Sequence, residues 1–200
     1  MPTSIIEQHP LEPFLPHHAK LLLLGSFPPQ RKRWSMNFFY PNFQNDMWRI
    51  MGLIFYEDPL HFVIGKRFDE MLVRQFCEEK GIALYDTAQA VIRQNNNASD
   101  KFLEVVTPVN LAHLLDRIPE CNTIATTGQK STEILFSILS EGPEFDQPQS
   151  MPTIGTFVTF LYNQRSYRLY RMPSTSRAYP KSLKEKAGDF AVVFSNSLNI

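Results

Sequence analysis

Cysteine is scarce in this chain, long apolar runs are missing and charge of neither sign dominates. The two cysteines, Cys77 and Cys121, match no zinc or CxxC spacing, so two buried thiols in a reducing, cytoplasmic compartment are expected. No segment approaches the about 20 uninterrupted apolar residues that cross a bilayer, which argues against a membrane partner. The stretch Met1–Glu7 has no basic region ahead of an apolar core, so no secretory signal is expected. Twenty basic residues face twenty acidic ones, a balance that argues against a protein coating nucleic acid electrostatically but is silent on a local patch. There is no Gly-rich phosphate loop of Walker or Rossmann type. What is present, 43% hydrophobic and 12% aromatic residues, excludes a disordered chain. The 200 residues suit one domain spanning 1–200, whose first 19 residues, with Pro at 2, 10, 13 and 16, read as an irregular N-terminal arm.

Strand and helix patterns alternate along the rest. Lys20–Leu24, closed by Gly25, Pro28 and Pro29, reads as a strand buried on both faces. Apolar residues at helical spacing mark helices from Asn45 to Phe55 and from Phe68 towards Gly81. Ile82–Asp86 and Thr123–Thr127 read as strands, with a polar loop around Asn95–Asp100 and a helix through Leu111, Leu114 and Leu115 between them. Ser131–Leu139 is a further helix, and an acidic, Pro-rich loop covers Glu141–Pro152. Phe157–Leu161 and Tyr167–Met172 form strands around a turn at Asn163–Gln164, before a last helix from Lys181 to about Phe194. The alternation favours an α/β three-layer sandwich with a mainly parallel central sheet.

Ligands of open α/β sheets gather at the carboxyl ends of the strands. Three loops there carry unusual chemistry: Gly25–Pro29 with the basic, aromatic stretch behind it, Thr126–Lys130, and Met172–Arg177. Residues 165–186 hold seven basic residues against Glu185 alone, and Arg31, Lys32 and Arg33 stand beside the first loop. Neutral overall charge thus conceals two basic segments suited to phosphate.

The residues Gly25-Ser26-Phe27-Pro28, Phe39-Tyr40-Pro41, Asn45-Asp46-Met47-Trp48 and Pro173-Ser174-Thr175-Ser176, in that order, resemble the uracil-DNA glycosylase superfamily. The nearest branch in appearance is the hypoxanthine-DNA glycosylase-like group, and the likeness continues through Gly81–Asp86 and Thr127–Lys130. The resemblance implies base flipping and hydrolysis of an N-glycosidic bond in DNA, with uracil or hypoxanthine as the base and no metal or organic cofactor. It implies double- or single-stranded DNA with a damaged base as partner, base-excision repair as context, and a monomer as the default.

Breaking that bond gives the sugar oxocarbenium character, so water needs orientation more than deprotonation. Asn45 matches the residue that positions water in the resembling branch, although Asn is also a preferred N-cap where a helix begins. Asp46 is the second catalytic candidate, against the dull alternative of an acid satisfying a helix dipole. Phe27 stands where several branches carry a catalytic acid or amide, and a ring cannot activate water. The backbone around Gly25, Ser26 and Phe27 is expected to bind the base, and Tyr40 to stack on it. Ser174, Thr175 and Ser176 match a loop that pinches the DNA backbone; Arg31, Lys32, Arg33, Lys130 and Arg177 are the other expected DNA contacts. Met172 replaces a histidine of other branches, which weakens leaving-group assistance. The five histidines carry no functional signal, and without a catalytic lysine constellation the product would be an abasic site in an intact strand. The alternative is a catalytically weakened DNA- or nucleotide-binding member of the same fold.

Overall fold

The structure, a computed structural model, describes residues 5–94, 102–146, 148 and 150–198. Its elements run β1 (Ile6–Gln8), β2 (Leu21–Gly25), a 3-10 turn (Arg31–Arg33), α1 (Met47–Tyr56), β3 (Val63–Ile64), β4 (Arg67–Phe68), α2 (Glu70–Lys80), β5 (Ile82–Asp86) and β6 (Ala88–Arg93). Then come β7 (Leu103–Pro108), α3 (Leu111–Arg117), β8 (Thr123–Thr127), α4 (Gln129–Glu141), β9 (Phe145–Asp146), β10 (Phe157–Tyr162), β11 (Arg165–Met172) and α5 (Leu183–Leu198).

The central sheet has the order β5-β2-β8-β11-β10-β9. Its first four strands are parallel, and β10 and β9 add an antiparallel edge. Leu21–Leu24 fill both faces of β2, between β5 and β8, where none of the four is exposed; this is why an unalternating leucine run makes a strand here. In the β10–β11 hairpin, Asn163 (φ 49°) and Gln164 (φ 61°) are both left-handed, the conformation that matches a two-residue turn to the strand twist.

Helix ends follow local chemistry. Asp69 accepts the Leu72 N–H at 3.1 Å to start α2, and Gly81 (φ 65°) ends it. Ser182 and Glu185 form a reciprocal cap ahead of α5: the Ser182 N–H reaches the Glu185 carboxylate at 2.8 Å, and the Glu185 N–H reaches Ser182 Oγ at 3.3 Å. Helix α1 packs on α5, which also contacts β11, while α4 lies against β8 and β9. Among the described residues no helix is long and apolar enough to cross a membrane.

Two regions differ from expectation. The arm is not irregular throughout: β1 pairs antiparallel with β6 (Ile6↔Ile92, Gln8↔Ala90), and Phe14 bridges to Leu84. The prolines break helix, but Ile6–Gln8 lie between Pro2 and Pro10 and find a distant partner. The segment after Asp86 is also more ordered than expected, since β6 and β7 join β1 in a second, antiparallel sheet of three strands. Pro108 closes β7, and Asn110 caps α3 by accepting the His113 N–H at 3.0 Å. The polar loop expected around Asn95–Asp100 lies outside the described residues. Cys77 and Cys121 are fully buried; burial pushes both thiols up, Cys121 to about 12.

Candidate active site

The carboxyl ends of all four parallel strands meet around one cavity of about 160 Å³. Gly25 ends β2, Asp86 ends β5, Thr127 ends β8, and Ser174 follows β11; all four line it. Of the residues singled out from sequence, the cavity gathers Gly25, Ser26, Phe27, Tyr40, Asn45, Ser174, Thr175 and Ser176. Asp46, Arg31, Lys32, Arg33, Lys130 and Arg177 are not on its wall.

The N-terminal turn of α1 joins one side of this wall to the Ser174–Ser176 loop. Asn45 Oδ1 accepts the Met47 N–H at 2.8 Å in an Asx turn just ahead of Asp46, the residue in the N-cap position, which makes no side-chain cap bond of its own. Its backbone bridges to Ser176, and the Asp46 N–H donates to the Thr175 carbonyl at 2.8 Å. Asp46 turns the other way. Its Oδ2 accepts from Lys186 Nζ at 2.9 Å and its Oδ1 from Arg177 Nε at 3.2 Å. Lys186 is fully buried, and its ammonium also donates to the Ser176 carbonyl at 2.8 Å. With both oxygens engaged and the group off the cavity wall, Asp46 is a clamp residue, contrary to its expected role as a base. Burial and then the Arg177 charge hold the neighbouring Arg49 guanidinium below its usual value, against the pull of Asp46.

The opposite side has a carboxylate the sequence reading passed over. Asp86 lines the cavity, and its Oδ2 lies 2.9 Å from His9 Nε2. His9 Nδ1 stands 2.8 Å from the Leu11 carbonyl, and the His9 ring packs against Tyr85 and Phe27. The arm histidine regarded as silent therefore holds a residue of the cavity wall, although it does not line the cavity itself. Asp86 Oδ1 takes no hydrogen bond among the described residues and presses on Gly25, where a Cβ would meet it at 2.3 Å. Only glycine fits beside it. Asp86 was recoverable from the rule that function sits at strand ends, because it is the last residue of β5.

Tyr40 reaches Thr127, hydroxyl to hydroxyl, at 3.0 Å and sets its ring edge-on to Trp48. Its φ of 50° is unusual for a bulky residue, and such strain collects where surrounding contacts over-determine a loop. Phe27 is buried against Ala88, Val91 and Leu103 of the smaller sheet, with one surface on the cavity.

The basic segment does not form one face. Arg165 begins β11, roughly 20 Å along the strand from Met172 at the cavity end, and donates to the Cys121 carbonyl at 3.1 Å. Arg168 pairs in register with Thr123 at the far end of β8. Lys181 bonds Asp189 at 2.6 Å, just beyond the stretch counted from sequence, and Lys186 is buried. Exposed Arg31–Arg33 fare better: Arg31 stacks 4.0 Å over Trp34, whose indole donates to the Pro29 carbonyl on the cavity rim at 2.6 Å. Lys130 lies in the first turn of α4 and borders a separate groove with Glu133. Among the described residues no group of three or more His, Cys, Asp or Glu side chains is placed to hold a metal ion.

No family model matches the chain, and no curated protein matches it. A solved structure does. It is a solution NMR structure of a "putative Uracil DNA glycosylase from Methanosarcina acetivorans", 19% identical, covering 96% of this chain and 98% of its own, with a TM-score of 0.64. The two chains share a fold. At that identity the likeness speaks for the α/β architecture and for nothing finer.

Proposed function

We propose that this protein is a monofunctional DNA glycosylase of the uracil-DNA glycosylase superfamily, nearest the hypoxanthine-DNA glycosylase-like branch, with helices on both faces of its sheet. The observation that carries the reading is convergence: the motifs 25–28, 39–41 and 45–48 and the sequence-distant motif 173–176 all contribute to one cavity at the strand ends. That its fold matches a protein described as a uracil DNA glycosylase supports the same reading.

A deaminated base, uracil or hypoxanthine, swings out of single- or double-stranded DNA into the cavity. Tyr40 and Phe39 bound it, and the amides around Ser26 and Phe27 meet a carbonyl that gains negative charge as the base departs. The Ser174–Ser176 loop holds the backbone beside the lesion, with Arg31–Arg33 on the approach. The Asn45 carbonyl has two lone pairs and gives one to Met47; the second orients water towards the anomeric carbon. The C–N bond breaks with its electron pair going to the base, water adds to the sugar and releases a proton to solvent, and the base anion takes a proton up from solvent, giving an abasic site and a free base. Among the described residues no lysine lines the cavity, which fits an unbroken strand.

One observation favours the alternative of a binding protein with weakened catalysis: the amide assigned to water already accepts the Met47 N–H, and Phe27 supplies no second acceptor. Asn45→Ala separates the two. In single-turnover assays on duplexes containing uracil or hypoxanthine, a catalyst loses about 100-fold in rate while keeping its DNA affinity. Loss of the Asn45–Met47 hydrogen bond costs about 1 kcal/mol of stability in either case. Intact strands after alkali for every lesion, with stoichiometric wild-type protein, overturn the enzymatic reading.

A further inference from the structure

A second depression shares no lining residue with the active-site cavity and has no part in the mechanism above. It is an open groove of about 900 Å³ between α4 and β7, the outer strand of the three-stranded sheet. Its floor is apolar. Leu103 and Val109 are buried there, while Val105, Ile134 and Ile138 remain partly exposed. Ile134 and Ile138 stand four residues apart on α4 and so form one row along the helix.

The rim is acidic. Glu104, Glu133, Glu141 and Glu144 border the groove against Lys130 alone. All four acids are exposed, and among the described residues none forms an ion pair. Glu133 accepts from the Gln129 amide, and Glu141 from Ser137 Oγ at 2.6 Å. The charges on α4 also run against the helix's own field. Its first turn carries Lys130 and no acid, its last turn carries no base, and Glu141 is its final residue. A helix is stabilised by the reverse order. Such a local rule broken without a local gain marks a surface kept for function, as does an apolar patch with a polar rim.

We propose that this groove docks a basic amphipathic helix of a partner protein, with its apolar stripe on the Ile134–Ile138 floor and its Lys and Arg side chains on the glutamate rim. The inference goes beyond the glycosylase reading and stands whether or not the cavity hydrolyses a bond. Charge selects the occupant. DNA phosphates share the sign of the rim and are repelled by it, and an isologous dimer through the groove would set its glutamates against one another. Exposed ion pairs add little each, so the apolar row supplies affinity while the rim supplies orientation and on-rate. From Lys130 to Glu141 the helix rises about 16 Å, room for roughly three turns of a docked helix anchored at i, i+3 or i+4, and i+7.

The test uses the full chain and a fluorescein-labelled helical peptide of about 16 residues, long enough to cover that span, with leucine on one stripe and lysine elsewhere. A twin peptide carries glutamate in place of lysine. Anisotropy should show micromolar binding of the lysine peptide that weakens as salt rises, and none of the glutamate peptide. In methyl spectra of the protein, the lysine peptide should shift Ile134, Ile138 and Leu103 and leave Leu21–Leu24 of the central sheet in place. Combining Glu133→Gln with Glu141→Gln should weaken binding about fivefold. That variant removes only exposed charges, one of them misplaced on its helix, so it should melt no lower than wild type. Ile138→Ser should weaken binding about tenfold, with thermal stability followed alongside. Absence of binding by the lysine peptide, equal binding of the twin, methyl shifts elsewhere, or an affinity unchanged in the double variant overturns the proposal. Groove methyls that move with a DNA duplex instead of the peptide would make this a nucleic-acid surface, and methyls that move with protein concentration alone would make it a dimer face; either result overturns it too.

Discussion

The two walls of the cavity each carry a buried carboxylate, and they use it in opposite ways. On the α1 side Asp46 spends both oxygens on cations, Lys186 and Arg177, and faces away from the cavity. On the β5 side Asp86 spends one oxygen on a histidine and leaves the other at the cavity. The difference shows what makes a carboxylate available for a ligand: not burial, which the two share, but the number of its lone pairs already claimed. The Asp46 wall is a clamp that fixes Asn45 and the Ser174–Ser176 loop relative to each other. The Asp86 wall is a preformed acceptor.

That contrast can be broken from either side, and the clamp should give the largest effect. Lys186→Met leaves Asp46 buried with only its half-exposed arginine, and should cost about 3 kcal/mol in chemical denaturation. Adding Asp46→Asn should recover part of the loss, because no uncompensated charge remains; a double variant less stable than Lys186→Met alone would contradict the clamp.

Next comes Gly25→Ala. Its Cβ would stand 2.3 Å from Asp86 Oδ1, forcing the carboxylate aside. We expect about 2 kcal/mol of destabilisation and a drop in excision of roughly 100-fold. Combining it with Asp86→Ala should restore stability but not activity, a result that the Asp46 wall cannot imitate.

The smallest effect is a titration. Burial, and then the charge of Asp86, push the Tyr85 phenol up from an ordinary 10.0 to about 12. A phenol whose folded pKa is raised contributes stability in full below pH 10, and that contribution is lost as pH rises through 12. Tyrosinate absorbance should place this step near 12 in wild-type protein and in Lys186→Met, and lower in Asp86→Asn. An unshifted step in Asp86→Asn would remove Asp86 from the causes.

Much of this architecture was legible in the residues. The leucine run of β2, the helical spacing of α1 and α2 and the Asn163–Gln164 turn are local signals, and local signals survive into the fold. Asn45, Tyr40 and Ser174–Ser176 were singled out by the resemblance; Asn45 precedes a helix and Ser174–Ser176 follow a strand, but nothing local marks Tyr40, in the loop ahead of α1. What failed was tertiary. His9 has no local signature, since its meaning comes from β6 pairing with β1 across some 80 residues. Seven positive charges in 165–186 looked like a face because sequence cannot show that Arg165 and Met172 occupy opposite ends of one strand. Lys186 did leave a trace: with Phe190, Val193, Phe194 and Ser197 it lies on the buried stripe of α5, where a lysine needs a partner.

His9 lies 77 residues from Asp86 in the chain and is held there by a strand of three residues, by its own N–H on the Gln89 carbonyl and by the Phe14–Leu84 bridge further along the arm. Loop closure over such a span is entropically unfavourable, and a short peripheral strand is among the first parts of a fold to open. The fraction of molecules with a complete site is thus capped by the docking equilibrium of the arm, and the intrinsic affinity for a ligand is scaled down by that fraction. Hydrogen exchange at Ile6–Gln8 becomes a direct gauge of how much of the protein has its arm docked.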